Sequence, residues 1–253
     1  MFTRLLIGLD GSPEADQALE QAIVLGRRFG STLVVAHVRH HHDDGGGAGE
    51  TLLERGRERV TAAEGALKVE TVLRTGNPDV GLAELAREVD AALVGRRGVT
   101  TRGGALGETV SSLIRIAERC VIVCGGAPSP MRAVAVAFDG GETSLRAVDL
   151  AARFASVAGS TVHVIHATSD RDAGVQVLGA AEATLSLQGV GYQTHIGGGE
   201  PGQVVADVIR ATQCDALFAG AHLERRTGRP SQPVVSHAEE ILRHTDIPVV
   251  IQP

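Results

Sequence analysis

The chain has no tryptophan, one tyrosine (Tyr192) and five phenylalanines in 253 residues. Single-stranded nucleic acids are bound on aromatic platforms, and duplexes are bound by a positive field over the phosphates. With a formal charge of −6 the chain supplies no such field, so no nucleic acid is expected as a partner. Three cysteines, Cys120, Cys124 and Cys214, are too few for a disulfide scaffold. The four-residue spacing of Cys120 and Cys124 puts both on one face of a strand, where buried, chemically idle thiols in a reducing compartment are expected. No run approaches the roughly 20 apolar residues of a membrane span, and the N-terminus carries no cleavable signal pattern. The expectation is a cytoplasmic protein without a membrane partner.

What is present is aliphatic and glycine-rich: 43% hydrophobic residues, 21% charged and 32 glycines. Such a composition builds a sizeable core from Ala, Val, Leu and Ile, and the length suits two ordinary domains of about 100 to 150 residues each. The sequence repeats itself. Leu5 to Ser12, an apolar run ending in Asp10-Gly11-Ser12, recurs as Val134 to Gly141 with Asp139-Gly140-Gly141, and Gly30-Ser31-Thr32 through His37 recurs as Gly159-Ser160-Thr161 through His166. Asp10 to Asp139 and His37 to His166 are both 129 residues apart. Gly76-Asn77-Pro78 matches Gly199-Glu200-Pro201, and Asp90 to Gly95 matches Asp215 to Gly220. Ala127-Pro128-Ser129-Pro130 has linker chemistry, which divides the chain into residues 1–127 and 131–253.

Within each copy, continuous apolar runs alternate with helical patterns, the signature of a parallel sheet covered on both faces. Two tandem, doubly wound, five-stranded α/β sheets of Rossmann-like type are expected. The first copy's strands fall near residues 3–9, 32–38, 69–73, 91–95 and 120–124. Ser12 and Pro13 read as the start of the first helix, with Ala15, Ala18, Leu19, Ala22 and Ile23 on its buried face. In the second copy Val148, Ala151 and Ala152 repeat that face, and the last helix lies around His237 to His244.

Ligands of open parallel sheets bind beyond the carboxyl ends of the strands, where strand order reverses. Asp10, Val38 and Gly95 lie at such ends. After the fourth strand comes Gly95-Arg96-Arg97-Gly98, then Val99 to Leu106, then Gly107-Glu108-Thr109 opening a helix. Glycines let backbone amides close on a phosphate, and a helix start offers unpaired N–H groups and a positive dipole end. Arg96, Arg97 and Arg102 add charge, although a structural turn explains a glycine-rich loop equally well.

With Asp10-Gly11-Ser12, the strand ending His37-Val38 and Gly95-x-x-Gly98 followed by a later glycine, the sequence resembles the universal stress protein family over nearly its whole length, twice. The fold this implies is adenine-nucleotide α-hydrolase-like. The implied function is a stress-response regulator that binds ATP or another adenine nucleotide in its N-terminal domain, with Mg as the accompanying ion and slow or no hydrolysis. By that resemblance Asp10, Gly11 and Ser12 approach the ribose, the phosphates or their metal. The backbone at Val38 meets the adenine, and Gly95, Gly98 and Gly107 hold the phosphates; Arg97, Glu108 and Thr109 complete the expected binding site. Asp10 reads equally as a turn cap. Eight residues separate Gly98 from Gly107, where nucleotide-binding members have roughly nine, and Glu108 stands where they have Ser or Thr. A carboxylate there suits an empty helix start and repels a triphosphate, unless it faces solvent or a metal while Thr109 or Ser111 supplies the hydroxyl.

In the second copy Leu223 replaces the second glycine, and Pro230 and Pro233 interrupt the approach to the last helix, so its cradle reads as degenerate. The resemblance also implies pairing through the last strands, beginning at Cys120 and Ile247, as an internal pseudo-dimer of the two halves or a homodimer of chains. The run His40-His41-His42-Asp43-Asp44 offers metal-ligand types but reads as a loop. No catalytic residues stand out. The competing readings are a nucleotide-free interaction scaffold with a vestigial loop, and an enzyme of the wider adenine-nucleotide group, since fold alone does not fix chemistry.

Overall fold

The computed structural model describes residues 1–40, 47–63, 66–99, 106–221, 241–242 and 244–253. The chain forms two compact units, Met1–Pro130 and Met131–Pro253. In the first, β1 (Arg4–Gly8), α1 (Pro13–Phe29), β2 (Thr32–Arg39), α2 (Ala48–Ala62), β3 (Lys68–Thr75), α3 (Pro78–Ala86), β4 (Ala91–Gly95), α4 (Glu108–Ile116) and β5 (Cys120–Cys124) follow in order. Its strands lie side by side as β3-β2-β1-β4-β5, and the paired neighbours are parallel. Strand order therefore reverses between β1 and β4. Arg59 of α2 bonds Glu20 of α1, which puts these helices on one face, while Ser112 of α4 donates to Asp79 of α3 (2.6 Å) on the other.

The second unit repeats the plan with β6 (Ala133–Ala137), α5 (Glu142–Ala158), β7 (Thr161–Ala167), α6 (Arg171–Leu187), β8 (Tyr192–Gly197), α7 (Pro201–Thr212), β9 (Ala216–Gly220) and β10 (Val249–Gln252). Its strand order is β8-β7-β6-β9-β10. The last strand starts at Val249, two residues later than expected, because Pro248 has no N–H to donate and contributes only its carbonyl, which accepts from Leu217 (3.0 Å). The last helix expected around His237 to His244 falls mostly outside the described residues.

The repeated residues have repeated structural work. Gly30 and Gly159 end α1 and α5 in the left-handed region, at φ 66° and 68°. The next residues, Ser31 and Ser160, are buried and turn their hydroxyls onto the Phe2 and Met131 carbonyls. Asp90 and Asp215, each preceding the fourth strand of its unit, accept backbone N–H groups at the start of the first strand. Asp90 takes those of Thr3 (2.6 Å) and Arg4 (3.0 Å), and Asp215 takes those of Arg132 (3.1 Å) and Ala133 (3.0 Å). Burial alone would raise the Asp90 carboxyl, but these bonds and the Thr3 hydroxyl bring it below its ordinary value. The cores are aliphatic: Leu5, Leu6, Ile7, Leu93 and Ile122 are fully buried in the first unit, and Phe154 and Phe218 stand 5.6 Å apart in the second.

The segment before Met131 is docked rather than loose. Gln21, fully buried on α1, donates Nε2–H to the Ser129 carbonyl (3.0 Å) and accepts the Ser129 N–H on Oε1 (2.7 Å). Cys120 and Cys124 are buried, and burial pushes both thiols up to about 12, Cys124 against a smaller opposing effect of Arg96. No helix among the described residues is long and apolar enough to cross a membrane.

One pair in the second unit titrates against the fold. His163 on β7 and His195 on β8 stack at 5.3 Å between ring centres, with Nδ1 of the first 3.0 Å from Nε2 of the second. Burial lowers both imidazoles, and His195 lowers His163 further. A base that is harder to protonate when folded leaves more protons on the unfolded chain. Its contribution to stability is therefore complete above about pH 6.5 and is lost as pH falls through the depressed folded values. Melting temperatures measured downward from about pH 7 should fall in this window, and less steeply in His195→Gln; an unchanged slope in the variant would count against the pair. Asp90→Ala should cost about 1 kcal/mol in urea titrations, a value already discounted for its exposure.

Candidate nucleotide site at the strand reversal

Reversal of strand order between β1 and β4 leaves a cleft of about 860 Å³ at their carboxyl ends in the first unit. One wall is apolar: Leu9, Ala36, Val38, Leu82 and Val94. The polar part of the lining comes from Asp10, Ser12, Arg97, Gly98 and the start of α4. Gly81 on α3 lets that helix approach β2, since a Cβ there would sit 3.0 Å from the Val38 side chain.

Asp10 organises the polar rim. Its Oδ1 accepts the Ser12 N–H (2.9 Å) and hydroxyl (2.6 Å), and its Oδ2 accepts the Val99 N–H (3.2 Å). The carboxylate is thus a turn cap and also a tie between the β1–α1 turn and the segment after β4. Gly11 sits in that turn at φ 84°. Ser12 is buried and accepts the Ala15 N–H on Oγ (3.1 Å), which caps α1. Ala15, Ala18, Leu19, Ala22 and Ile23 are all buried behind it.

Gly95 lines the cleft, but its missing side chain serves α1: a Cβ there would stand 2.5 Å from the Glu14 carbonyl carbon and 2.6 Å from the Ala15 nitrogen. Gly220 repeats this against Thr143 at 2.4 Å. Gly98 faces Asp10, with Oδ2 2.7 Å from the position of a Cβ. The Arg97 Nε–H reaches Glu14 Oε1 at 3.1 Å, a contact that the spacing of these residues does not announce. Gly107 caps α4 without a side-chain bond, its own N–H donating to the Arg96 carbonyl (3.0 Å). Glu108, the first residue of the helix, is exposed at the rim, and Thr109 is half-buried beside it.

Of the ten residues expected at the site, Asp10, Ser12, Val38, Gly95, Arg97, Gly98, Gly107, Glu108 and Thr109 line this one cleft, and Gly11 lies in the adjoining turn. Arg102 and His41 to Asp44 lie outside the described residues, while His40 is at the cleft. Pattern reading passed over Leu82 and Pro78 of α3, for which Gly76-Asn77-Pro78 is the usable signal. It also gave no role to His37, whose Nδ1 is 2.7 Å from the Leu9 carbonyl, as His166 Nδ1 is 2.8 Å from that of Phe138. No cluster of three or more metal-ligating side chains occurs among the described residues.

The corresponding cavity of the second unit measures about 110 Å³ and is lined by Phe138, Asp139, Ser144, His166, Val205 and Ile241, among others. Asp139 keeps the capping role, accepting Gly141 N–H (2.8 Å) and the Ser144 hydroxyl (2.6 Å). Leu223, Pro230 and Pro233 fall outside the described residues.

The sequence profile of the universal stress protein family matches residues 1–125 and 173–253. The chain belongs to the universal stress protein family. Among solved structures, a universal stress protein from Archaeoglobus fulgidus is 18% identical with a TM-score of 0.79, covering 100% of this chain and 98% of the other. A functionally unknown protein from Pseudomonas aeruginosa is 17% identical with a TM-score of 0.72, covering 99% and 92%. The first shows that the whole chain shares the fold of a universal stress protein structure, and the second has the same fold. A universal stress protein solved in complex with cAMP overlaps 48% of this chain and 95% of its own, at 26% identity and a TM-score of 0.42, and its ligand belongs to that protein. No curated protein matches.

The contact between Gly95 and α1 is testable. Gly95→Ala should destabilise this universal stress protein by about 1–3 kcal/mol in urea unfolding, because rigid helix backbone must move. Gly98→Ala should cost less, since it meets one side-chain oxygen of Asp10 rather than helix backbone; equal losses would contradict the geometry.

Proposed function

We propose that the first unit binds ATP or another adenine nucleotide, and that the protein acts in the cytoplasm as a stress-response regulator whose ligand state, rather than turnover, is its output. The observation that carries this reading is the contrast between an 860 Å³ cleft in one unit and a 110 Å³ cavity in the other, at equivalent places in one repeated fold. A pocket for a drug-sized or cofactor-sized ligand runs to about 300–1,000 Å³, so the first is of nucleotide size and the second is not. The apolar wall around Val38 suits a base. The rim of Gly98, Gly107 and Thr109, with the α4 start free of a side-chain cap, suits phosphates.

Glu108 is exposed, which leaves the cleft open and puts its charge in water. Asp10 and Glu108 are oxygen donors of the kind Mg²⁺ uses, and that ion is ordinarily held by one or two carboxylates together with substrate phosphates and water. Magnesium would therefore arrive with the nucleotide and screen both carboxylates from it. The segment from Gly95 to Thr109 contains no lysine, unlike a P-loop, and hydrolysis is expected to be slow or absent. An internal pseudo-dimer or a homodimer is the assembly this reading favours.

Native mass spectrometry and calorimetry with Mg-ATP should find one nucleotide per chain, lost in Gly98→Arg and kept in Asp139→Ala. Absence of saturable binding would favour the nucleotide-free scaffold, and stoichiometry of two would overturn the division of labour between the units.

A further inference from the structure

We propose that Glu14 is an internal stand-in for a ligand phosphate on Arg97, so that a phosphate enters the cleft by exchanging with a side-chain carboxylate. The inference rests on the nucleotide reading of the cleft and adds a determinant of which ligands it accepts. Arg97 is the one arginine or lysine among the described residues lining the cleft, where Asp10 and Glu108 contribute negative charge. It stands at the rim with its Nε–H on Glu14 Oε1 at 3.1 Å. Its own carbonyl lies 3.3 Å from the Ser12 hydroxyl, which places its backbone beside the first turn of α1.

The Glu14 side chain is 19% exposed and that of Arg97 38%. Such a pair, open to water on one side, is weak enough to break. A guanidinium pairs with carboxylate and phosphate oxygens alike, so charge decides between such partners. A terminal phosphate carrying two charges attracts Arg97 more strongly than the singly charged Glu14 does, whereas a singly charged phosphodiester competes on nearly equal terms with the carboxylate. The site therefore favours nucleotides ending in a phosphate monoester over cyclic or diester forms. The freed Glu14 remains at the start of α1, where the helix dipole stabilises it.

A double-mutant cycle on the full chain tests the exchange, with Mg-ATP as probe and calorimetry as readout. Glu14→Gln should tighten binding by about fivefold or more. Glu14→Gln placed on Arg97→Gln should change it by less than about twofold. Glu14→Ala repeats the measurement in case the glutamine amide itself holds Arg97, and melting curves verify that every variant folds. An equal gain in both Arg97 backgrounds would mean that Glu14 acts only through its general field and would overturn the exchange. A wild type that binds and a Glu14→Gln variant that binds no better would also overturn it, leaving the nucleotide reading intact. A wild type that does not bind beside a Glu14→Gln variant that does, through Arg97, would uphold the competition for Arg97 and overturn nucleotide binding by the native chain. Failure of both proteins to bind would end both.

Discussion

The first turn of α1 touches the end of β4 backbone against backbone, and the cleft takes its shape from that contact. Gly95 permits it, since any side chain would begin 2.5 Å from the Glu14 carbonyl carbon. With α1 drawn in so closely, Ser12 is buried, its hydroxyl meets Asp10, and Asp10 reaches the Val99 amide. Glu14 is brought within reach of Arg97 by the same approach. The second unit repeats it through Gly220 and Thr143, so the contact belongs to the fold, and whatever ligand chemistry the first unit has is laid over it.

The two units separate what the fold requires from what one site adds. Helix-ending glycines, buried serines, strand-capping aspartates and histidines at the carbonyl just past the neighbouring strand occur in both. The wide cleft and the Arg97–Glu14 pair belong to the first unit. The start of α7 in the second is closed by Glu200, whose carboxylate accepts the Gly202 and Gln203 N–H groups at 2.8 Å each. At the matching place in the first unit Asn77 makes no side-chain cap.

Strand and helix order were legible in the sequence because parallel strands covered on both faces read as unbroken apolar runs. Two copies, 129 residues apart in their first halves and 123 to 125 apart in their second, gave each assignment twice. The expected strands agree with the observed ones to within a residue or two, as at β2 and β4, and the late start of β10 follows from Pro248. The gathering of nine expected residues around one cleft was legible because strand ends mark ligand sites in this architecture. The reason for Gly95 was not, since an amide cradle and a close helix both ask for glycine and only coordinates tell them apart. Arg97 and Glu14 are 83 residues apart in sequence, and no local pattern announces a pair at that distance. Leu82 escaped because a leucine on a short helix looks the same whether it faces a core or a cavity.

The amide of Gln21 has a consequence for where the first unit ends. Cutting the chain at Ala127, where the composition changes, would remove Ser129 and strand a donor and an acceptor that have no access to water. The first unit therefore includes the proline-flanked tail as far as Pro130. What looks like spacer in the alphabet of residues is, in the folded molecule, the last piece of the first core.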